Sequence, residues 1–372
     1  MAPAVPTSLE TLRRIGRRFQ IHGHLVDVRP HGSGHINDTV AATYDQAGTA
    51  VRYIHQRINT QIFTHPDRLM DNIARVLAHG QARVAALPDP SRRVLTLVPA
   101  RDGAPCVHDE ATGIWRTYLF IEGTRTVDVV ETEAQAEAAA RAFGAYQHLL
   151  SDLPGPRLFE VLPRFHHTPS RFEACVAAID ADTHNRAGGA RDAIDFALAR
   201  AGDVSLMADA HARGEIPERI THNDTKINNV MLDVATGEGL CVVDLDTTMP
   251  GLAPHDFGDL VRTATNAAAE DEPDASRVDA RPEMFAALAR GYLATAGQTL
   301  TAAEVALLPL AGQLISLEQG LRFLADHLQG DTYYRIHRAG HNLDRARAQF
   351  AMVASLERQA DANARVIDAL WR

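Results

Sequence analysis

The chain has 372 residues, of which 45% are hydrophobic and 23% are charged, and its formal net charge is −10. This length and composition predict two domains, or one large bilobal unit, with sizeable cores. The acidic balance and the lack of a long basic run argue against nucleic acid as a partner, because phosphate neutralisation needs clustered Lys and Arg.

The three cysteines, Cys106, Cys175 and Cys241, lie far apart and form no Cys-x-x-Cys motif. This spacing argues against a zinc site and against a disulfide framework, and it favours a reduced, cytoplasmic protein. The N-terminus lacks the apolar segment of a signal peptide, and no apolar run approaches the roughly 20 residues of a membrane helix. We therefore expect no membrane partner, and either a monomer or a homodimer.

The first ~120 residues predict an antiparallel sheet with one helix, since β-branched runs alternate with Gly-containing turns. The expected strands are 24–30, 39–45, 50–58, 94–100 and 113–123. Between them, 65–79 is expected to be helical, because Pro66 suits a first helical turn and Leu69, Ile73 and Val76 recur on one face.

The pattern changes after residue 123. Helices are expected at 132–150, at 170–212 with a loose loop at 184–189, and at 283–300, 302–329 and 342–370. Thr132 and Gln135 have capping-box spacing at the first of these helices. The sequence thus predicts a β-rich N-terminal lobe, residues 1–122, and a mostly helical C-terminal lobe, residues 123–372. A ligand is expected in a cleft between such lobes.

Small polar residues interrupt the helical half at 220–251. The segment THNDTKINN places Asp224 and Asn229 five residues apart, on a loop before the short strand VML. A Gly-containing turn follows, and LCVVDLD places Asp244 at the end of a second strand. This strand–turn–strand pattern is expected to bring Asn229 and Asp244 together as oxygen ligands of Mg²⁺. Asp224 would orient an acceptor hydroxyl and accept its proton.

The segment HGSGHINDT, 31–39, lies between two predicted strands. Gly32, Ser33 and Gly34 would let the backbone approach a phosphate and bind it through N–H groups, although a plain hairpin is the alternative. The sequence has no GxxxxGK[ST] motif, which disfavours a Walker-type NTPase.

Together these motifs resemble the kinase layout of a catalytic-loop Asp, an Asn five residues later and a metal-binding Asp on the next hairpin. The form H-x-D-x-x-x-x-N followed by V-V-D-x-D is most similar to the aminoglycoside phosphotransferase and choline kinase branch. That resemblance implies an α+β, bilobal, protein-kinase-like fold that uses ATP and Mg²⁺. In P-H-D-F-G-D, Asp256 would support the catalytic loop. His222 would be structural, and Asp246 would either cap a turn or contact the metal.

The third strand lacks the Lys that the kinase resemblance leads us to expect, and Gln56 or Arg57 falls near its position. Arg57 would contact phosphates, since guanidinium groups bind them bidentately. Asp71 would replace the usual Glu partner, or would form a plain surface pair. Backbone groups of Ile121 or Glu122, at the expected hinge between the lobes, would pair with adenine.

A further set of segments is similar to the N-acetylhexosamine 1-kinase subgroup. The segments are GHINDT (34–39), YIHQRIN (53–59), LMDNI (69–73), FIEGT (120–124), THNDTKINNVMLD (221–233), DLDTTMPGL (244–252), GDLVR (258–262) and 321–349. The resemblance implies transfer of the ATP γ-phosphoryl group to the anomeric hydroxyl of an N-acetylhexosamine such as N-acetylglucosamine or N-acetylgalactosamine. The product would be a sugar 1-phosphate and ADP.

By the same resemblance, Arg322 and Tyr333 would contact the sugar, with helix surface and core packing as the alternative. His35, Asn37 and Asp38 would lie near its phosphate end. The residues alone imply a kinase for a hydroxyl acceptor, so glucosamine, an aminoglycoside, choline and homoserine remain alternatives. Two other classes are a non-catalytic nucleotide-binding protein on a kinase-like fold and a metal-dependent hydrolase. A hydrolase would need a second metal shell that usually contains His.

Overall fold

The computed structural model describes residues 8–32 and 36–371 and divides into two compact units. Unit 1 consists of Met1–Thr124, Leu153–Leu162 and Leu240–Thr248; unit 2 consists of Arg125–Asp152, Pro163–Gly239 and Met249–Arg372. The predicted lobes were continuous segments, whereas unit 1 also contains two later segments, and the second of these carries Asp244 and Asp246. The predicted phosphate-loop and substrate residues Ser33, Gly34 and His35 lie outside the described residues.

The β-rich N-terminal region and the mostly helical C-terminal part confirm the predicted kinase-like fold class. In chain order the strands are β1 His24–Pro30, β2 Asp38–Gln46, β3 Thr49–Arg57, β4 Val107–Asp109, β5 Gly113–Leu119, β6 Thr124–Arg125, β7 Arg219–Thr221, β8 Val230–Asp233, β9 Gly239–Val242 and β10 Met249–Gly251. The helices are α1 Leu9–Gly16, α2 Pro66–Val84, α3 Pro90–Arg93, α4 Glu133–Leu149, α5 Thr168–Ala181, α6 Arg191–Leu198, α7 Leu206–Ala212, α8 Ala253–Ala264, α9 Pro282–Ala296, α10 Ala302–Leu328, α11 His341–Arg358 and α12 Ala360–Trp371.

Unit 1 is built on an antiparallel sheet with the strand order β1-β2-β3-β5-β4. The hairpin between β2 and β3 turns at Ala47 and Gly48, whose φ angles are both positive, as a tight two-residue hairpin requires. One core of this unit packs Leu12 and Ile15 of α1 with Trp115 of β5. Helix α1 was not predicted from the sequence; Ser8 caps it by accepting the N–H of Thr11 at 3.1 Å.

The predicted strand at 94–100 is wrong. The segment forms only isolated bridges, Leu97 with Tyr118 and Ala100 with Phe19. The segment still lies alongside β5, because the N–H of Val98 donates to the carbonyl of Thr117 at 2.8 Å. Pro99 has no N–H to donate, so a regular ladder cannot continue through it.

Unit 2 is a helical assembly in which α4 packs closely against α9. A Cβ added at Gly291 would lie 2.2 Å from the carbonyl oxygen of Glu137, so this approach requires glycine. A second core joins α5, α6, α10 and α11 around residues such as Leu324 and Phe350. Across residues 8–32 and 36–371, no helix combines the length and the apolar character needed to cross a bilayer.

The helix ends agree only in part with what the local sequence predicts. Helix α10 begins with a reciprocal capping box between Thr301 and Glu304, whereas α4 has only half of the predicted one. Thr132 accepts the N–H of Gln135, but the Gln135 side chain accepts from Glu131. The stretch 170–212, predicted to be helical with a loop at 184–189, forms α5, α6 and α7, with a further break between α6 and α7. The predicted helix 342–370 is divided into α11 and α12 at Gln359.

Candidate active site

The predicted catalytic loop, residues 222–229, leaves β7 in unit 2. Strand β7 pairs with β10, which places Thr221 opposite Met249. Below the loop, Asp256 of α8 accepts the backbone N–H of His222 at 2.9 Å and that of Asn223 at 2.8 Å. Burial raises the pKa of Asp256, and these two donors oppose the rise. The structure thus places Asp256 where support of the loop requires it.

Asn223 adopts a left-handed conformation, with φ of 64°, that turns the chain sharply before Asp224. The peptide between Asn223 and Asp224 is held at both polar ends. Its carbonyl lies 2.8 Å from Nε2 of His166, and its N–H donates to Nδ1 of His222 at 3.3 Å. The His222 ring is buried against the rings of Phe143 and Tyr146, at centroid distances of 5.4 and 5.7 Å. This packing favours the predicted structural role of His222.

The Asp224 carboxylate has one occupied and one available oxygen. Oδ2 lies 3.3 Å from Nζ of Lys226 and 3.3 Å from Nδ2 of Asn229. Oδ1 has no hydrogen-bond partner among the described residues, and the side chain is 25% exposed. Lys226 was missed in the sequence; its spacing, two residues after Asp224, was the available signal.

Asn229 has an arrangement that suits a cation ligand. Its Nδ2 donates to the backbone carbonyl of Asp224 at 2.9 Å, so its amide oxygen points away from Asp224. An amide oxygen is a hard donor that fits Mg²⁺. The second predicted ligand, Asp244, belongs to unit 1, where its φ of 60° begins a 3₁₀ turn over Leu245–Thr247. That the two residues share one ion stays a prediction from the sequence.

Asp246, two residues after Asp244, lies in a buried ionic network within unit 1. Its Oδ1 accepts from Arg116 of β5, and its Oδ2 accepts from Nδ2 of Asn37 at 2.6 Å. Arg116 also donates through Nε to Gln56 at 2.9 Å. Burial opposes the charge of Arg116, but the nearby carboxylates of Asp246 and Asp244 raise its pKa above the ordinary value. Sequence reasoning missed Arg116, because it lies in the middle of a strand and 130 residues from its partner.

Helix α2 contacts the same segment through a residue other than the predicted one. Asp71, the predicted substitute for the kinase Glu, is exposed, whereas its neighbour Asn72 is buried. Nδ2 of Asn72 donates to the carbonyls of Phe159 at 2.8 Å and Thr248 at 3.3 Å. The polar link from this helix to the stretch that follows Asp244 is therefore an amide.

The predicted nucleotide and substrate residues of the N-terminal half are engaged with one another. Arg57 binds Asp38 directly across β2 and β3, with Nε 2.8 Å from the carboxylate. Asn37 accepts the N–H of Asn59 at 3.0 Å in addition to its bond with Asp246. Gly32 has φ of 78°, a conformation that favours glycine. The binding roles of Gly32, Asn37, Asp38 and Arg57 stay predictions.

The predicted hinge residues lie at the end of unit 1. Ile121 is buried and its carbonyl accepts from the Thr124 hydroxyl at 2.9 Å. The exposed Glu122 carboxylate accepts from Nε of Arg52 at 2.7 Å, and the guanidinium of Arg52 lies 3.7 Å from the ring centre of Phe120. These contacts order the segment whose backbone was predicted to bind adenine.

The predicted sugar-contact residues lie at the end of α10 and in the loop that follows it. The Arg322 guanidinium lies between the rings of Phe165 and Tyr334, at 5.6 and 5.7 Å from their centroids, and Tyr333 is 70% exposed. Asp326 accepts the backbone N–H groups of residues 332–334 at 2.8–2.9 Å, which fixes the loop. The sugar-binding roles of Arg322 and Tyr333 stay predictions.

A second arginine, Arg171 of α5, lies near Arg322. Arg171 donates to the backbone carbonyls of Arg164 and Phe165, and burial and the Arg322 charge lower its pKa. Within the described part of the chain, neither arginine forms an ion pair with a carboxylate. No described carboxylate therefore contacts either guanidinium directly, although the charge of Glu318 acts on both.

The fold and the predicted catalytic loop agree with a phosphotransferase, and known proteins were compared with the chain on this point. The chain is similar over 96% of its length to a microcompartment-associated aminopropanol kinase, with a TM-score of 0.59, 16% identity and 99% of that chain covered. An aminoglycoside phosphotransferase from Alicyclobacillus acidocaldarius has a TM-score of 0.58 and 13% identity, over 97% of this chain and 98% of the other. A choline kinase from Cryptosporidium parvum has a TM-score of 0.53 and 12% identity, over 98% and 99% of the two chains.

At these identities the structural matches show the fold. The sequence model of the phosphotransferase enzyme family matches residues 27–304, which is more than half of the chain. The chain belongs to this phosphotransferase family.

Proposed function

We propose that the chain transfers the γ-phosphoryl group of ATP to the anomeric hydroxyl of an N-acetylhexosamine and releases a sugar 1-phosphate and ADP. The observation that carries the transfer step is the Asp224 carboxylate. Its peptide is held at both ends, while Oδ1 makes no hydrogen bond to a described residue. A carboxylate oxygen that is fixed in place but unoccupied is what a base for an acceptor hydroxyl needs.

In this proposal Oδ1 of Asp224 accepts a hydrogen bond from the sugar hydroxyl and takes its proton as the oxygen attacks the γ-phosphorus. The bond from that phosphorus to the bridging oxygen of ADP breaks as the new bond forms. Lys226, close to Oδ2, would neutralise charge on the transferred group. We assign Mg²⁺ to Asn229 and Asp244 from the sequence; when bound it would neutralise phosphate charge. Most of the rate enhancement would come from positioning and electrostatics.

The acceptor assignment rests on the resemblance to N-acetylhexosamine 1-kinases, and one charge observation supports it. Arg171 and Arg322 place positive charge beside Tyr333 and Tyr334, whose rings lie 4.8 Å apart. Aminopropanol and choline, named for two of the structural neighbours, carry a cationic nitrogen. Two guanidinium groups would repel such an acceptor, whereas a neutral sugar offers hydroxyl and carbonyl oxygens as their hydrogen-bond partners.

The proposal is tested by measuring ADP release with ATP and Mg²⁺ over a panel of acceptors. The panel contains N-acetylglucosamine, N-acetylgalactosamine, glucosamine, glucose, choline, aminopropanol and an aminoglycoside. We expect turnover with an N-acetylhexosamine and, in the phosphorus NMR spectrum, coupling of the product phosphorus to the anomeric proton. Turnover only on a cationic acceptor would retain the transfer chemistry and reject the sugar and the binding roles of Arg322 and Tyr333.

The role of Asp224 has its own test. Asp224→Asn should lower kcat by about 10²–10⁴-fold, the usual contribution of a general base, while ATP binding measured by calorimetry stays close to wild type. Asp203→Asn, an exposed carboxylate in the same unit, is the matched control and should leave kcat unchanged. Full activity of Asp224→Asn would reject the assignment.

A further inference from the structure

His166 lies beneath the catalytic loop and its two ring nitrogens have different partners. Nε2 is 2.8 Å from the backbone carbonyl oxygen of Asn223, and Nδ1 is 2.9 Å from Oε1 of Glu318 on α10. Oε2 of Glu318 accepts the hydroxyl of Thr168 at 2.8 Å. The side chains of His166 and Glu318 are 9% and 2% exposed, so water does not compete strongly for these bonds.

The partners determine how many protons the ring carries. A backbone carbonyl can only accept, so Nε2 must donate to Asn223. The Glu318 carboxylate also accepts, from Thr168 on one oxygen and from Nδ1 of His166 on the other. With Glu318 ionised, both ring nitrogens carry hydrogen, and His166 is a buried imidazolium paired with a carboxylate.

We propose that the His166–Glu318 pair positions Asp224 for catalysis by holding the peptide that joins Asn223 to Asp224. This inference rests on the proposed function, since it presumes that Asp224 is the reacting carboxylate. His166 is a positioning residue: it touches the peptide of the loop, and Asp224 would touch the substrate. These contacts connect α10 to the Asp224 carboxylate. They consist of the hydrogen bond between Glu318 and His166, the hydrogen bond between His166 and Asn223, and the peptide that joins Asn223 to Asp224.

Loss of one proton from His166 would break one of the two bonds. If Nε2 kept its hydrogen, the Nδ1 lone pair would face the Glu318 carboxylate; if Nδ1 kept it, the Nε2 lone pair would face the Asn223 carbonyl. Either neutral form thus frees the loop or unpairs a buried carboxylate. The tautomer that keeps hydrogen on Nδ1 leaves the buried carboxylate paired and is therefore favoured, and it loses the bond to the Asn223 carbonyl. Positioning of Asp224 is thus expected to weaken as the pH rises through the pKa of His166.

The groups around His166 agree with a charged pair. Burial disfavours both charges, but Glu318 and, on α8, Asp259 raise the pKa of His166, and His166 lowers the pKa of Glu318 to about 2. His255 of α8 lies 5.3 Å away, ring to ring, and burial together with His166 lowers its pKa to about 3, so it is neutral. Arg322 of α10 also favours the charged Glu318.

The test compares Glu318→Gln with Glu357→Gln, a control that removes an ion pair with Arg200 in the same unit. Without the carboxylate, burial should lower the pKa of His166, so the alkaline limb of the kcat profile should move at least about one pH unit towards acid. Because a misplacement of 1 Å can cost ~10²-fold, we expect kcat at pH 8 to fall by 10- to 100-fold. KM for ATP should stay within twofold. The control should keep the wild-type profile.

A doubly neutral variant, His166→Gln with Glu318→Gln, leaves no unpaired buried charge and protects the test against simple unfolding. It should retain part of the activity and lose the alkaline limb, since its amides do not titrate. A wild-type profile in folded Glu318→Gln, or an alkaline limb unchanged in the double variant, would overturn the proposal.

Two NMR measurements test the pair without any assumption about the acceptor. At pH 7 both ring nitrogens of His166 should be protonated, and the backbone amide of Asp224 should shift in step with loss of that proton. The positioning role of His166 would be rejected, even in an active enzyme, if His166 were neutral at pH 7. It would also be rejected if the chemical shift of the Asp224 amide did not change as His166 loses its proton. If these NMR results hold but no acceptor in the panel is phosphorylated, the proposed function fails and the link to the loop stands.

Discussion

Asp224 and Asp246 are both acidic residues of the kinase-like motifs, but the structure holds them in different ways. In unit 1, both oxygens of Asp246 accept from side chains, Arg116 and Asn37, and the carboxylate is 4% exposed. In unit 2, His166 and His222 hold the peptide between Asn223 and Asp224. The carboxylate oxygen Oδ1 of Asp224 has no hydrogen-bond partner among the described residues. A carboxylate whose oxygens are all occupied stabilises structure, whereas one held through its peptide can still react.

Because the two carboxylates are held differently, substitutions near Asp246 and near Asp224 should have different effects. Removing a partner of Asp246 leaves a buried charge unpaired, which costs stability. Removing a support of Asp224, the proposed base, should displace its carboxylate and lower the rate before it lowers the stability. Substitutions in the two regions should therefore differ in what they change, and three paired variants examine this.

The largest effect on stability is expected for Arg116→Met, which leaves Asp246 buried without its cation. Breaking a buried pair in this way usually costs about 3–5 kcal/mol of unfolding free energy. Arg52→Met removes the exposed pair with Glu122 and should cost less than about 1 kcal/mol. Unfolding in denaturant can be followed by the fluorescence of Trp115, which is buried in unit 1, in a Trp371→Phe background. Similar losses for the two variants would contradict a structural role for the Arg116–Asp246 pair.

A large effect on rate is expected for Asn229→Ala, because this residue holds Asp224 and is the proposed metal ligand. We expect kcat to fall by about 10²–10³-fold, since several kcal/mol of charge stabilisation depend on the ion. Asn228→Ala changes the adjacent amide, which donates to Asp128 at 3.1 Å, and should retain nearly full activity. The two unfolding midpoints should lie close together. Equal kcat values for the two variants would remove Asn229 from the site.

A smaller effect is expected for Gly251→Ala, which disturbs the catalytic loop from the side. An added Cβ would lie 2.2 Å from Oγ1 of Thr221 and 2.7 Å from Oδ1 of Asn223, so the start of the loop must shift. Overpacking of this kind costs about 1–3 kcal/mol, and we expect kcat to fall roughly tenfold. Gly188→Ala, where an added Cβ meets no atom within 4 Å, is the control. Wild-type kcat in Gly251→Ala would show that the loop tolerates displacement.

The sequence predicted local features where one short segment contains all the information. The β2–β3 hairpin depends on neighbouring residues, and the predicted strands within 24–58 and the start of α2 at Pro66 agree with the structure. It failed at 94–100, where apolar residues suggested a strand but Pro99 prevented one. Asp71 is exposed and its role stays a prediction, while the buried polar residue of α2 is Asn72.

By itself the sequence determined the β-rich N-terminal part and the mostly helical C-terminal part, because these follow from periodicity. The kinase-like fold class followed from the resemblance of its motifs, one of which places Asp224 and Asn229 five residues apart. Only the tertiary structure revealed that Arg116 neutralises Asp246 and that His166 and Glu318 reach the catalytic loop. Those partners lie 130 and 152 residues apart in the chain, and nothing in their local sequence distinguishes them from other charged residues. Burial decides their role, because a charge removed from water must find its partner wherever the folded chain provides one.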